Sequence, residues 1–155
     1  MTLLGLKMSA LLKKRVLILE ETVCFIVNLK LELMYKADNL LTLLSGISGI
    51  SICKNLEYIN LCCDGLRKGD PFNNVWKSAI SENRLPYKVE EKTKLISLGE
   101  FLGASDKESQ AEILSLYEEL FTVFLKRAQL ENEKYSKIYV MLGFLTGMCI
   151  LIMVI

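Results

Sequence analysis

The last 18 residues, 138–155, carry no charge, and 15 of them are hydrophobic. Residues 1–137 hold all 37 charged side chains of the chain. As a helix rising 1.5 Å per residue, the uncharged stretch is about 27 Å long, close to the hydrocarbon thickness of a bilayer. A core helix apolar on every side needs a larger protein around it than 155 residues supply. The chain therefore reads as a charged portion followed by a transmembrane helix. Tyr135 and Tyr139 suit a membrane interface, and Lys126, Arg127, Lys134 and Lys137 lie on the near side with nothing charged beyond. The excess of basic residues on that side predicts that the charged portion is cytoplasmic. Inside the stretch, Gly143 and Gly147 stand four apart, the spacing that lets two membrane helices approach closely and pack as an oligomer.

The other end has a weaker version of the same pattern. Residues 1–12 are largely apolar, and Lys13-Lys14-Arg15 follows. Apolar-then-basic is the reverse of a secretory signal and is the order of a membrane helix emerging into the cytoplasm. About ten residues cannot cross a bilayer. The stretch is expected to be either the stub of a longer membrane helix or a short segment lying at the membrane surface, with Lys13, Lys14 and Arg15 at the membrane edge. Three regions follow: 1–12 as the partial apolar segment, 13–137 as a cytoplasmic bundle and 138–155 as the membrane helix.

Between these ends the pattern is helical throughout. Leu12, Val16, Leu19, Val23, Ile26 and Val27 recur at three- and four-residue steps. Asp38 suits the cap of a short second helix over 40–44, closed by Ser45-Gly46. A third helix is expected over 50–66 with Gly69 just beyond its end, and Asp70-Pro71 opens a fourth carrying Phe72, Trp76 and Ile80. Leu85-Pro86 interrupts before a fifth helix over 89–102, for which Gly103 is the expected stop. Ser105-Asp106-Lys107-Glu108 reads as a capping box, with Ser105 and Glu108 exchanging hydrogen bonds and Asp106 complementing the helix dipole. No proline or glycine follows until Gly143, so one long helix runs from the box into the apolar stretch. No strand pattern occurs. The fold class is all-α, a bundle of about six helices with the last one long.

Chemistry is sparse. Histidine is absent, which removes the commonest general base and metal ligand. Cys24, Cys53, Cys62, Cys63 and Cys149 form no C-x-x-C pair and read as free thiols, so neither a metal nor any other cofactor is expected. The near-neutral charge, 19 basic against 18 acidic residues, argues against nucleic-acid binding. Glu20-Glu21, Glu90-Glu91 and Glu118-Glu119 read as solvated helix faces rather than catalytic carboxylate pairs, and no enzymatic activity is expected.

The segment Leu98-Gly99-Glu100-Phe101-Leu102-Gly103-Ala104-Ser105-Asp106-Lys107-Glu108-Ser109-Gln110 resembles the hallmark of the stage III sporulation protein AB family. Gly99, Leu102, Gly103, Ser105, Asp106 and Gln110 fit that pattern, while Leu98 stands where the family often has an aromatic. The approach from Lys134 to Tyr139 and the run Leu142-Gly143-Phe144-Leu145-Thr146-Gly147 look like the family's ending. The resemblance implies a non-enzymatic membrane protein of endospore formers, sited in the outer forespore membrane on the mother-cell side. It implies a bundle similar to the cytoplasmic domain of type II secretion F proteins. It also implies a place in the mother cell–forespore channel assembly, engaging that assembly's ATPase, stage III sporulation protein AA. The motif can be read as a docking site or as a helix cap, and the cap leaves Gln110 without a role. Apart from the resemblance, a tail-anchored adaptor unrelated to sporulation and a small carboxylate-dependent hydrolase are the other readings of the residues.

Overall fold

The computed structural model describes residues 2–35, 39–104 and 106–154, with the side chains of 2–6, 52, 104, 107 and 154 excepted. Among these residues there are six α-helices and no strand. Two of the helices are far longer than the rest. Helix α1, Thr2–Tyr35, and helix α6, Lys107–Val154, have 34 and 48 residues, about 51 and 72 Å of helix. They run antiparallel, as the pairs Arg15–Glu131 and Lys30–Glu118 show. Residue numbers at the same level along the two helices therefore sum to about 147. Four short helices pack on one side of this hairpin: α2 (Leu40–Ser48), α3 (Glu57–Arg67), α4 (Phe72–Glu82) and α5 (Val89–Ala104).

The core lies where the short helices meet the hairpin. Ile18, Leu19, Phe25, Ile26 and Leu29 of α1 are almost wholly buried, as are Leu114, Phe121 and Phe124 of α6. The apolar spacing expected in α1 thus marks the face that packs, through Leu19 and Ile26. At the centre Trp76 stacks on Phe25 with centroids 6.0 Å apart and takes the edge of Tyr58 at 5.7 Å. Its indole N–H donates to the Leu95 carbonyl at 2.8 Å, which satisfies the one polar group of a buried side chain.

Several boundaries differ from those expected, each for a local reason. The helix expected over 50–66 is divided into a 3₁₀ turn, Ser51–Cys53, and α3. Glu21 of α1 is buried, and its carboxylate accepts the Asn55 backbone N–H at 3.0 Å and the Asn55 side-chain amide. That tie holds the chain out of the helix between the two pieces. Helix α2 continues through Gly46 to Ser48, because Ile47 is buried one turn further on. The expected cap Asp38 lies outside the described residues.

Gly69 has φ of +90°, the left-handed conformation that terminates α3. Its N–H donates to Leu66 at 3.0 Å and the Asp70 N–H to Gly65 at 3.3 Å, the paired bonds of a Schellman motif. Pro71, rather than Asp70, holds the cap position of α4. Helix α5 passes through Gly103 and ends at Ala104. Gly103 faces the Asn73 side chain of α4 from within the helix and does not stop it.

Candidate functional site

Gly99 and Gly103 lie one turn apart on α5, and Asn73 and Trp76 lie three apart on α4. The two pairs face each other. A Cβ on Gly99 would stand 2.1 Å from Trp76 Cδ1, and one on Gly103 would stand 2.4 Å from Asn73 Oδ1. Glycine at 99 is thus what lets α5 lie against α4, because the Trp76 ring is rigid and buried, whereas the exposed Asn73 side chain facing Gly103 can turn aside. Leu102, between them in sequence, is 2% exposed and anchors the end of α5 in the core.

The chain then turns into α6. The last carbonyls of a helix have no partner within it. Here the Gln110 side-chain amide, from the first turn of α6, donates to the Leu102 carbonyl at 2.7 Å. Gln110, which a capping box leaves unexplained, ties the two helices together. Because α6 begins at Lys107, Asp106 occupies the position before its first residue, and its carbonyl accepts the Gln110 N–H at 2.9 Å. The Ser109 hydroxyl, followed by the backbone N–H groups of the first turn, holds the Asp106 carboxyl below its ordinary value. The described cap is therefore Asp106. Ser105, and with it the exchange expected between Ser105 and Glu108, lies outside the described residues. Glu108 is exposed, as are Glu100 and Glu112 beside it. Phe101 is 46% exposed and meets the edge of Tyr117 at 6.4 Å.

At the opposite end of the hairpin the basic residues separate into two kinds. Lys13, Lys14, Lys126, Arg127, Lys134 and Lys137 are exposed. Arg15, expected with them, is 7% exposed and belongs to the interior. Its guanidinium donates to Glu91, which is 2% exposed, and to Glu131 at 2.7 Å. Lys88 donates to the other oxygen of Glu131 at 2.6 Å, and the Lys88 backbone N–H donates to Glu91 at 2.8 Å. One network thus ties α1, the start of α5 and α6. Lys88 first, and Arg15 with it, hold the Glu131 carboxyl below its ordinary value. Each residue turns about 100° around a helix, which puts Arg15 on the buried line with Leu19 and Thr22 and not beside Lys13 and Lys14. That spacing, visible in the sequence, is the signal that could have found it.

The carboxylate pairs expected on solvated faces are split in the same way. Glu20, Glu90 and Glu119 are exposed, but Glu21 holds Asn55, Glu91 holds Arg15 and Glu118 pairs with Lys30. Burial pushes the Cys53 thiol up to about 11 and the Cys62 thiol up to about 12. Both are poor nucleophiles at neutral pH. Among the described residues, no group of three or more acidic or cysteine side chains is close enough to hold a metal ion.

Beyond the bundle, α6 continues through the uncharged stretch. Its most apolar 18-residue window has a mean hydropathy of 1.8 with no part buried, so the helix is long and apolar enough to cross a membrane. Nothing lies within 4 Å of where a Cβ would stand on Gly143 or Gly147.

No curated protein and no solved structure matches the chain. The family model of stage III sporulation protein AB matches residues 1–155. Of the described motif residues, Gly99 and Leu102 seat α5 against α4 and the core, Gly103 faces Asn73, and Asp106 and Gln110 join α5 to α6. With the whole of its length matched, this chain belongs to the stage III sporulation protein AB family.

Proposed function

We propose that this protein is a membrane-anchored structural component of the stage III sporulation assembly that connects mother cell and forespore. In this reading α6 anchors it in the outer forespore membrane and the bundle, residues 13–137, faces the mother-cell cytoplasm. The bundle serves as the docking platform for the assembly's ATPase, stage III sporulation protein AA, in the manner of a type II secretion F protein. Family membership supports the sporulation role. The orientation rests on exposed basic residues, Lys126, Arg127, Lys134 and Lys137 before the apolar stretch and Lys13 and Lys14 after the apolar N-terminal segment.

The observation that carries the docking role is the unbroken course of α6 from the motif turn to the apolar stretch. Along that helix, Asp106 stands about 48 Å from residue 138. The turn is then far from the membrane and accessible to a cytoplasmic ATPase. Around it Glu100, Asp106, Glu108 and Glu112 are exposed beside the half-exposed ring of Phe101. The motif residues build the turn, and the exposed side chains around it supply the surface.

The test is binding of the purified ATPase to the full chain in nanodiscs, comparing the natural chain with Glu100→Lys combined with Glu108→Lys. The expected result is retention by the natural chain and a loss of at least about ten-fold in the variant, with helical content and melting unchanged. Failure of the natural chain to bind contradicts the docking role. Equal binding by the two moves the contact away from this end.

A further inference from the structure

The side of the hairpin turned away from the short helices has an unusual surface. On α1, Leu17 and Leu31 are 45% and 44% exposed, with Cys24 half-buried between them, at the edge of the face nearest Cys53 of the 3₁₀ turn. On α6, Leu116, Val123 and Leu130 are 61%, 47% and 59% exposed. Both series repeat every seven residues, the spacing of an apolar seam on a helix that packs against another helix. Cys24 and Val123 each lie about 200° around their helix from a fully buried residue, Thr22 and Phe121 respectively. Both seams therefore face the same outer side. They are also level with one another: Leu17 with Leu130, Cys24 with Val123, and Leu31 with Leu116, each pair summing to 147 as the hairpin's register requires.

The membrane is not what covers this face. Leu130 and Leu116 lie about 12 and 33 Å along α6 from residue 138, on the side of the bundle. We propose that a second copy of this chain covers it, forming a back-to-back dimer with a four-helix seam. Two copies anchored in one membrane are related by a twofold axis along the membrane normal. Such an axis sets α1 of one copy against α6 of the other at the same level. Every apolar residue of the seam then meets an apolar residue of the partner copy.

Charge agrees with this pairing. The same axis places exposed Glu20 level with the basic pair Lys126 and Arg127 of the second copy. The area is also sufficient. From Lys13 to Tyr35 the face is about 33 Å long and two helices, about 20 Å, wide. The two copies together would cover about 1,300 Å², within the range of stable protein interfaces. Only the direction of the axis depends on α6 being the anchor.

The experiment is light scattering on the full chain in detergent micelles, with helical content followed by circular dichroism. The natural chain is expected to be a dimer at about 50 µM, and Val123→Glu or Leu130→Glu a monomer. Glu20→Arg and Arg127→Glu should each weaken the dimer about ten-fold or more, and the two together in one chain should restore it. This charge exchange keeps the test decisive if an apolar-to-acidic variant folds poorly. A natural chain monomeric at every concentration overturns the proposal. So does a dimer that withstands both Val123→Glu and Leu130→Glu, which would put the contact elsewhere, as at Gly143 and Gly147. Neither result bears on the binding of the ATPase.

Discussion

Gly99 lies beneath the Trp76 indole so closely that a single added carbon would stand 2.1 Å from the ring. Trp76 cannot move aside: it is 1% exposed, packed on three aromatic rings and bonded to the Leu95 carbonyl. Alanine favours a helix interior over glycine by about 1 kcal/mol, but overpacking a core costs about 1–3 kcal/mol and more where nothing yields. Gly99→Ala is therefore expected to lower stability by about 2 kcal/mol. Urea unfolding followed by circular dichroism and Trp76 fluorescence measures it. A neutral effect would mean that α5 can lift from α4 freely.

Gly46 is the contrasting case. It sits inside α2 with nothing within 4 Å of an added Cβ. Gly46→Ala should raise stability by about 0.5–1 kcal/mol in the same unfolding experiment.

Arg15 and Glu91 are nearly buried partners from α1 and α5. Removing Arg15 leaves the Glu91 carboxylate in the interior with no cationic partner and only the Lys88 backbone N–H, at about 3–5 kcal/mol. Arg15→Met should show a loss of that order. Arg15→Met combined with Glu91→Gln, which removes both charges, should recover a large part of it. A surface arginine at a membrane edge would show neither effect.

Glu131 and Asp106 both have folded-state values below their ordinary 4.5 and 3.8. A carboxylate lowered on folding contributes stability that is complete above its unfolded value and is lost as pH falls through the folded one. Melting temperature should thus be flat near neutrality and fall below about pH 4.5. Glu131→Gln and Asp106→Asn should each flatten that decline while lowering stability near neutrality. An unchanged acid limb in both variants would contradict the roles of these carboxylates.

Gln110 joins α6 to the end of α5 through the Leu102 carbonyl. Gln110→Ala is expected to lower stability by about 1 kcal/mol, the ordinary worth of such a bond. Hydrogen exchange at the C-terminal amides of α5 should rise in the variant while exchange at the centre of α1 stays unchanged.

The six helices were legible because their apolar residues recur every three or four positions, and the long α6 because nothing interrupts it before Gly143. The motif from Gly99 to Gln110 pointed to the family without showing what its residues do. Two glycines four apart signal close packing or a stop, and only the placement of Asn73 and Trp76 decides between them. The break at Ser51–Cys53 comes from Glu21, 34 residues away in sequence from its partner Asn55, and no local pattern reports it. Adjacency in the chain groups Arg15 with Lys13 and Lys14. On a helix, adjacent residues face different directions, and that turn separates an interior ion pair from the exposed Lys13 and Lys14.

The central claim is that α6 carries the bundle to a membrane and enters it. Cys149 tests this directly, since its side chain is exposed on the uncharged stretch. Full-length protein in sealed inside-out vesicles, treated with a charged, impermeant maleimide, should leave Cys149 unmodified until detergent is added. A cysteine introduced by Glu133→Cys should react in both conditions, with the label located by mass spectrometry. Modification of Cys149 in intact vesicles as fast as at position 133 would contradict the account.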